Sequence, residues 1–132
     1  MQTPTEVRPL ASLRSVAPQF LVLDLKAACA FYEEKLGFRV AFIYGDFYAG
    51  VERDGIMIHL KLADAPDPSR KVKQRDDHLD AYIAVDNVAA LYEEFESRGV
   101  KFAQPLASKP WGTREFVVWD NSGYILYFGQ ET

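Results

Sequence analysis

The sequence predicts an α+β protein made of two tandem β-α-β-β-β modules. Three observations carry that reading. Two helix-patterned segments run from a capping side chain to a glycine stop, Asp24 to Gly37 and Asp86 to Gly99, with the same spacing in both. The run Asp54-Gly55-Ile56-Met57-Ile58-His59-Leu60 matches Ser122-Gly123-Tyr124-Ile125-Leu126-Tyr127-Phe128, so a turn followed by an apolar strand recurs at the end of each half. The last such turn, Asp120-Asn121-Ser122-Gly123, joins two β-rich arms that are apolar almost without alternation. Strands of that kind are covered on both faces. Helices supply one cover. The other must come from a second layer, a partner or a ligand, within the chain or across a dimer. The expected organisation is an arm over 1–17, a first module over 18–62, a linker over 63–77 and a second module over 78–132.

The elements follow in order. Residues 1–17 are polar, with Pro4 and Pro9, and 11–16 fits either a short strand or an arm. Gln19–Leu23 reads as a strand, and Asp24 caps a helix over Leu25–Leu36. Its Ala28, Phe31, Tyr32 and Leu36 recur three or four apart and so share one face. Phe38–Tyr44 and Phe47–Glu52 are strands, Arg53-Asp54-Gly55 is a hairpin turn, and Ile56–Leu62 pairs back. Pro66, Pro68 and the charge run 70–77 mark the linker as a solvated loop. His78–Val85 is the next strand. Asp86 or Asn87 caps a second helix that buries Val88, Leu91, Tyr92 and Phe95. Val100–Ala103 is a strand and 104–110 a loop before the final hairpin. Trp119, at the end of an apolar strand, reads as core, and Cys29 as a small buried helix residue.

Composition narrows the function. A chain of 132 residues suits one domain, or two small halves sharing a core. The net charge of −4, from 15 Lys and Arg against 19 Asp and Glu, argues against nucleic acid and is compatible with a cationic small molecule. One cysteine excludes an intrachain disulfide. No stretch approaches the roughly 20 apolar residues of a membrane span, and the N-terminus lacks a signal-peptide core. The expectation is a soluble, cytoplasmic protein. No Gly-rich phosphate loop, CxxC pair or Ser-His-Asp order points to other chemistry.

The segment Asp24-Leu25 through Phe31-Tyr32-Glu33-Glu34-Lys35-Leu36-Gly37-Phe38, the segment Val85 to Val100 and the run Trp119-Asp120-Asn121-Ser122-Gly123-Tyr124 resemble the vicinal oxygen chelate superfamily, the glyoxalase, bleomycin resistance and extradiol dioxygenase group. The resemblance covers the chain from Val16 onward. It implies curved mixed sheets enclosing a cavity, helices on the outer faces, and often a homodimer with sites built between modules. Metal-dependent members place His, Glu or Gln at four inward positions. Carried over by spacing, these are Ala17, His59, Asp80 and Tyr127. Ala17 has no donor atom, and a tyrosine must first lose its proton to ligate. His59, His78 and Asp80 are the remaining metal candidates, short of the firm set a catalytic divalent ion needs. Ala17-Pro18-Gln19-Phe20 and Trp111-Gly112-Thr113-Arg114-Glu115 are similar to the metal-free bleomycin resistance branch, whose aromatic-lined cavity sequesters a bulky cationic antibiotic without altering it.

The expected function is therefore metal- and cofactor-independent binding of a small aromatic or cationic molecule by a homodimer. Trp111, Tyr48 and Phe42 would supply stacking surface, and Asp80 would meet positive charge. His59, Tyr127 and Arg114 would give orienting hydrogen bonds. Arg114 and Glu115 point to opposite faces of their strand, so one of them faces the cavity. The alternative is a lyase or dioxygenase of the glyoxalase type using His59 with His78 or Asp80. A third reading is a dimeric interaction module whose cavity is filled by its own side chains.

Overall fold

A computed structural model describes residues 7–132. The first part of the N-terminal arm lies outside the described residues. No strand forms over 11–16, and residues 7–16 are exposed. The chain then runs β1 (Gln19–Val22), α1 (Leu25–Leu36), β2 (Arg39–Tyr44), β3 (Tyr48–Arg53), β4 (Ile56–Leu62), α2 (Arg70–Asp76), β5 (Ala81–Ala84), α3 (Val88–Ser97), β6 (Phe102–Ser108), β7 (Thr113–Trp119) and β8 (Ile125–Glu131). The duplication is visible in the topology. One sheet has the order β1-β4-β3-β2 and the other β5-β8-β7-β6, the same order in each module.

Local chemistry explains the boundaries. The Asp24 carboxylate accepts the Ala27 backbone N–H at 3.0 Å, and the Asn87 side chain accepts that of Ala90 at 3.1 Å, so Asn87 rather than Asp86 caps α3. Gly37 ends α1 in the left-handed region at φ 70°, where a side chain is disfavoured. Positive φ at both Asp54 and Gly55 makes the β3–β4 turn one whose twist suits a hairpin.

Alternation decides which side chains meet the helices. Phe20, Val22, Ala49, Val51, Ile58 and Leu60 of the first sheet pack with Ala28, Tyr32 and Leu36 of α1. Phe116, Val118, Leu126 and Phe128 of the second pack with Val88 and Phe95 of α3, and all of these belong to one continuous core. Specific bonds join the modules across it. The Phe20 and Tyr124 rings stack with centroids 4.2 Å apart, and the Tyr32 hydroxyl donates to Asp120 at 2.7 Å. The Arg53 guanidinium meets both Glu94 oxygens at 2.8 Å.

Three sequence expectations need correction. The charge run is not a solvated loop, because residues Arg70–Asp76 form α2 and Arg70 is buried over the Tyr124 ring. The segment 104–108 is strand rather than loop. Pro105 is tolerated because β6 is an edge strand whose register shifts on both sides of Gln104. Trp119 is not core. It is 41% exposed, because alternation from the buried Val118 turns it to the face of the sheet away from α3.

Candidate ligand-binding faces

Each sheet has a second face that no helix of its own module covers. On the first sheet, cross-strand pairing lines up Gln19, His59, Gly50 and Phe42 in one row. The next row holds Leu21, Lys61, Tyr48 and Tyr44. On the second sheet the corresponding rows are Tyr82, Tyr127, Val117 and Gln104, then Ala84, Gly129, Glu115 and Ala107. Topology thus equates Gln19 with Tyr82, His59 with Tyr127, and Tyr48 with Glu115. The first-strand positions carried over by spacing, Ala17 and Asp80, fall two residues short of these rows.

The first face is a small aromatic and hydrogen-bonded cluster. Gln19 Nε2 donates to the Tyr48 hydroxyl at 3.0 Å, and that hydroxyl lies 2.9 Å from His59 Nδ1. Phe42 lies parallel to Tyr48, with centroids 6.3 Å apart, and meets His59 edge-on at 5.6 Å. The Phe42 ring sits where a Cβ on Gly50 would be, so only a glycine at position 50 lets the ring lie there.

The second face repeats the plan in more acidic form. The buried Glu115 takes the equivalent place of Tyr48. Its Oε2 accepts from Thr113 Oγ1 at 2.8 Å, from the Tyr82 hydroxyl at 3.2 Å and from Trp111 Nε1 at 3.3 Å. The Tyr82 hydroxyl occupies the Cβ position of Gly129, as Phe42 does over Gly50. Trp111 is 67% exposed. The Tyr127 hydroxyl donates to Asp77 at 2.6 Å, and Gln104 donates to the same oxygen at 3.0 Å. Burial, with Asp77 adding to it, pushes the Tyr127 phenol up to about 12.

Phe42, Tyr48, His59, Trp111 and Tyr127 therefore fall on the two open faces, whereas Asp80, on the side of Tyr82, is closed off by α2 and Arg114 lies on the other side. Asp80 spends its charge within the chain. Its Oδ2 accepts from Arg70 Nη1 at 2.6 Å and from the Ile125 backbone N–H at 2.8 Å, and its Oδ1 from Arg70 Nη2 at 2.6 Å and Lys73 Nζ at 2.7 Å. Burial works to raise the Asp80 carboxyl, yet the Arg70, Ile125 and Lys73 bonds hold it below its usual value. Arg114 pairs in register with Gln130, whose side chain accepts the first N–H of α3, so Arg114 lies on the helix side. Glu115 is the member of that pair on the open face. Alternation back from Phe116 was the signal for it.

Within one chain the named donors do not gather around a divalent ion. Among the described residues no three His, Cys, Asp or Glu side chains come together. His59 has Nδ1 engaged with Tyr48, His78 is exposed, and Asp80 is enclosed by Arg70 and Lys73. No described helix is long and apolar enough to cross a membrane.

Paired modules of this topology, each sheet with a second, partly open polar and aromatic face, define the class of two-module β-α-β-β-β proteins. The chain belongs to the Glyoxalase/Bleomycin resistance protein/Dioxygenase superfamily, which it matches over residues 15–128. No curated protein matches the sequence. Among solved structures, the bleomycin-binding protein from bleomycin-producing Streptomyces verticillus, complexed with copper(II)-bleomycin, is 27% identical. The match covers 90% of this chain and 97% of that one, with a TM-score of 0.70. UcmS2 is 26% identical over 90% of this chain and 98% of its own, with a TM-score of 0.70. A glyoxalase-related enzyme from Clostridium phytofermentans shares the fold, with a TM-score of 0.73 over 95% of this chain and 100% of its own at 17% identity.

Proposed function

We propose that this protein binds a planar, aromatic and positively charged small molecule and sequesters it without a metal and without altering it. The observation that carries this reading is the repeated construction of the open faces, each an aromatic side chain seated on a glycine beside a polar cluster: Phe42 on Gly50 with Tyr48 and His59, and Tyr82 on Gly129 with Glu115 and Tyr127. Phe42, Tyr48 and Trp111 supply flat surface, and His59 and Tyr127 supply orienting hydrogen bonds. The arrangement contains no activated nucleophile and no metal donor set. Sequestration needs neither, because shape and desolvation do the work. The faces are one-sided in a single chain, and large side chains stand on or beside them: Phe42, Tyr44, Tyr82, Trp111 and Trp119 are all exposed. We assign their cover to a second copy, which makes a homodimer with the ligand held between chains, in the cytoplasm. The likeness to the Streptomyces verticillus protein supports starting with copper(II)-bleomycin.

The test is a titration of the purified protein with that drug and with planar cationic dyes, following tryptophan fluorescence, with mass spectrometry of the recovered compound. Saturable, stoichiometric quenching and unchanged compound are expected. Absence of saturation across the whole set, or appearance of a product, would sink the reading.

A further inference from the structure

We infer that Glu115 is the group that selects a protonated nitrogen on the ligand, so that the second sheet's face prefers an N–H-bearing cation such as an amidinium or a primary ammonium on an aromatic body. This rests on the binding reading above and sharpens it. Glu115 is only 4% exposed, and no cationic side chain among the described residues forms an ion pair with it. That sets it apart from the other two buried or nearly buried carboxylates of the chain. Asp80 has Arg70 and Lys73. Asp120 is enclosed by the Tyr32 hydroxyl and the N–H groups of Ser122 and Tyr124, inside the core and away from both faces.

The bonds to Glu115 are also one-sided. Tyr82, Trp111 and Thr113 all donate to Oε2, and none of the described groups donates to Oε1. Among the described residues the one buried side-chain polar atom left without a partner is Arg70 Nε, so Glu115 Oε1 is not sealed off as an orphaned acceptor. Three neutral donors fix the carboxylate in place and leave one oxygen for an incoming donor. A buried anion with neutral supports is costly until a cation arrives. The rings around it are partly exposed, and a cation beside ring faces gains a further attraction. Asp77 and Glu131 both act on the tyrosines of this face in the same sense as Glu115. An N–H cation forms a charge-assisted hydrogen bond to Oε1, whereas a quaternary nitrogen brings charge without the bond.

The test is equilibrium dialysis at neutral pH with three planar probes: 9-aminoacridinium, 10-methylacridinium and neutral acridine. Wild-type protein is expected to bind 9-aminoacridinium about tenfold more tightly than acridine, with 10-methylacridinium between them. In Glu115→Gln the preference should fall to about twofold, chiefly through weaker binding of 9-aminoacridinium, with circular dichroism checking the fold. Thr113→Val, which removes a support and keeps the charge, should retain most of the preference. If Glu115→Gln keeps the full preference, or wild type binds all three probes equally, Glu115 does not select the ligand, and the binding reading survives. If wild type retains none of the probes, the binding reading fails, and this inference with it. The three-probe order in wild type needs no variant, so a poorly folding Glu115→Gln still leaves a decisive measurement.

Discussion

Replacing Asp80 with Asn should damage folding and spare ligand binding. The carboxylate accepts four bonds, two from Arg70 and one each from Lys73 and the Ile125 N–H, and its side chain is 5% exposed. Arg70 is nearly as buried, and its Nε already lacks a hydrogen bond, with Asp67 Oδ2 3.6 Å away. Removing the Asp80 charge leaves that guanidinium with only the longer Asp67 contact to balance it. Breaking a buried pair from one side costs about 3–5 kcal/mol. For a chain of 132 residues the unfolding entropy converts this into a fall in Tm of roughly 10–18 °C. Replacing both partners together, as Arg70→Met with Asp80→Leu, should recover much of the loss, because no charge is then stranded. Differential scanning calorimetry of the wild type, the two single variants and the double variant closes the cycle. The surviving folded fraction of Asp80→Asn should bind planar cations as the wild type does. A Tm within about 3 °C of wild type, together with weakened binding, would refute the reasoning and return Asp80 to the ligand site.

Further predictions test the faces and their electrostatics. Gly50→Ala and Gly129→Ala each place a methyl where Phe42 or Tyr82 now sits, so both should lower ligand affinity by displacing the ring while costing only about 1–3 kcal/mol of stability, measured by urea unfolding beside dialysis. Ultraviolet titration should find two tyrosines near 12, Tyr124 and Tyr127, of which Tyr127 moves back toward the ordinary range in Asp77→Asn, because part of its rise comes from Asp77. Asp80 is held below its unfolded value, so its contribution is fully present above that value and is lost as pH falls below about 4. The plot of unfolding free energy against pH should therefore lose part of its acid slope in Asp80→Asn.

The fold was legible because its signals are local and repeated. Asp24, Gly37 and Gly99 punctuate helices by capping and left-handed backbone, and Asp54-Gly55 by its turn, all of which act within a few residues. Helix α2 was not legible for the opposite reason. Pro66, Pro68 and dense charge are loop signals, and what makes 70–76 helical and packed is a long-range partner set, Asp80, Gly123 and Tyr124, which hydropathy does not register. Trp119 failed in the same way. A large aromatic in an apolar strand reads as core until the sheet's covered face is known.

The site was half legible, and the missing half is a matter of register. His59 and Tyr127 were equated correctly because each follows its turn glycine at the same distance, and the sheets place them at equivalent points. On the first strand of each module no such marker exists. The count back from Asp24 and Asp86 ran to Ala17 and Asp80, where hydrogen bonding between strands selects Gln19 and Tyr82. A two-residue slip preserves the face, so alternation alone could not expose it. The slip mattered chemically. It put an acid, Asp80, where the sheet has a tyrosine, and drew attention away from Glu115 on a neighbouring row. Tyr48 and Glu115 are equivalent, and this is one of several exchanges between the two faces. Where the first module has a phenol that can share a proton with His59, the second has a carboxylate held by three neutral donors. A duplication that keeps the frame while exchanging these groups sets a phenol and imidazole beside Lys61 on one face and a buried carboxylate on the other. On the binding reading proposed above, that division suits a ligand with a flat body and a charged end.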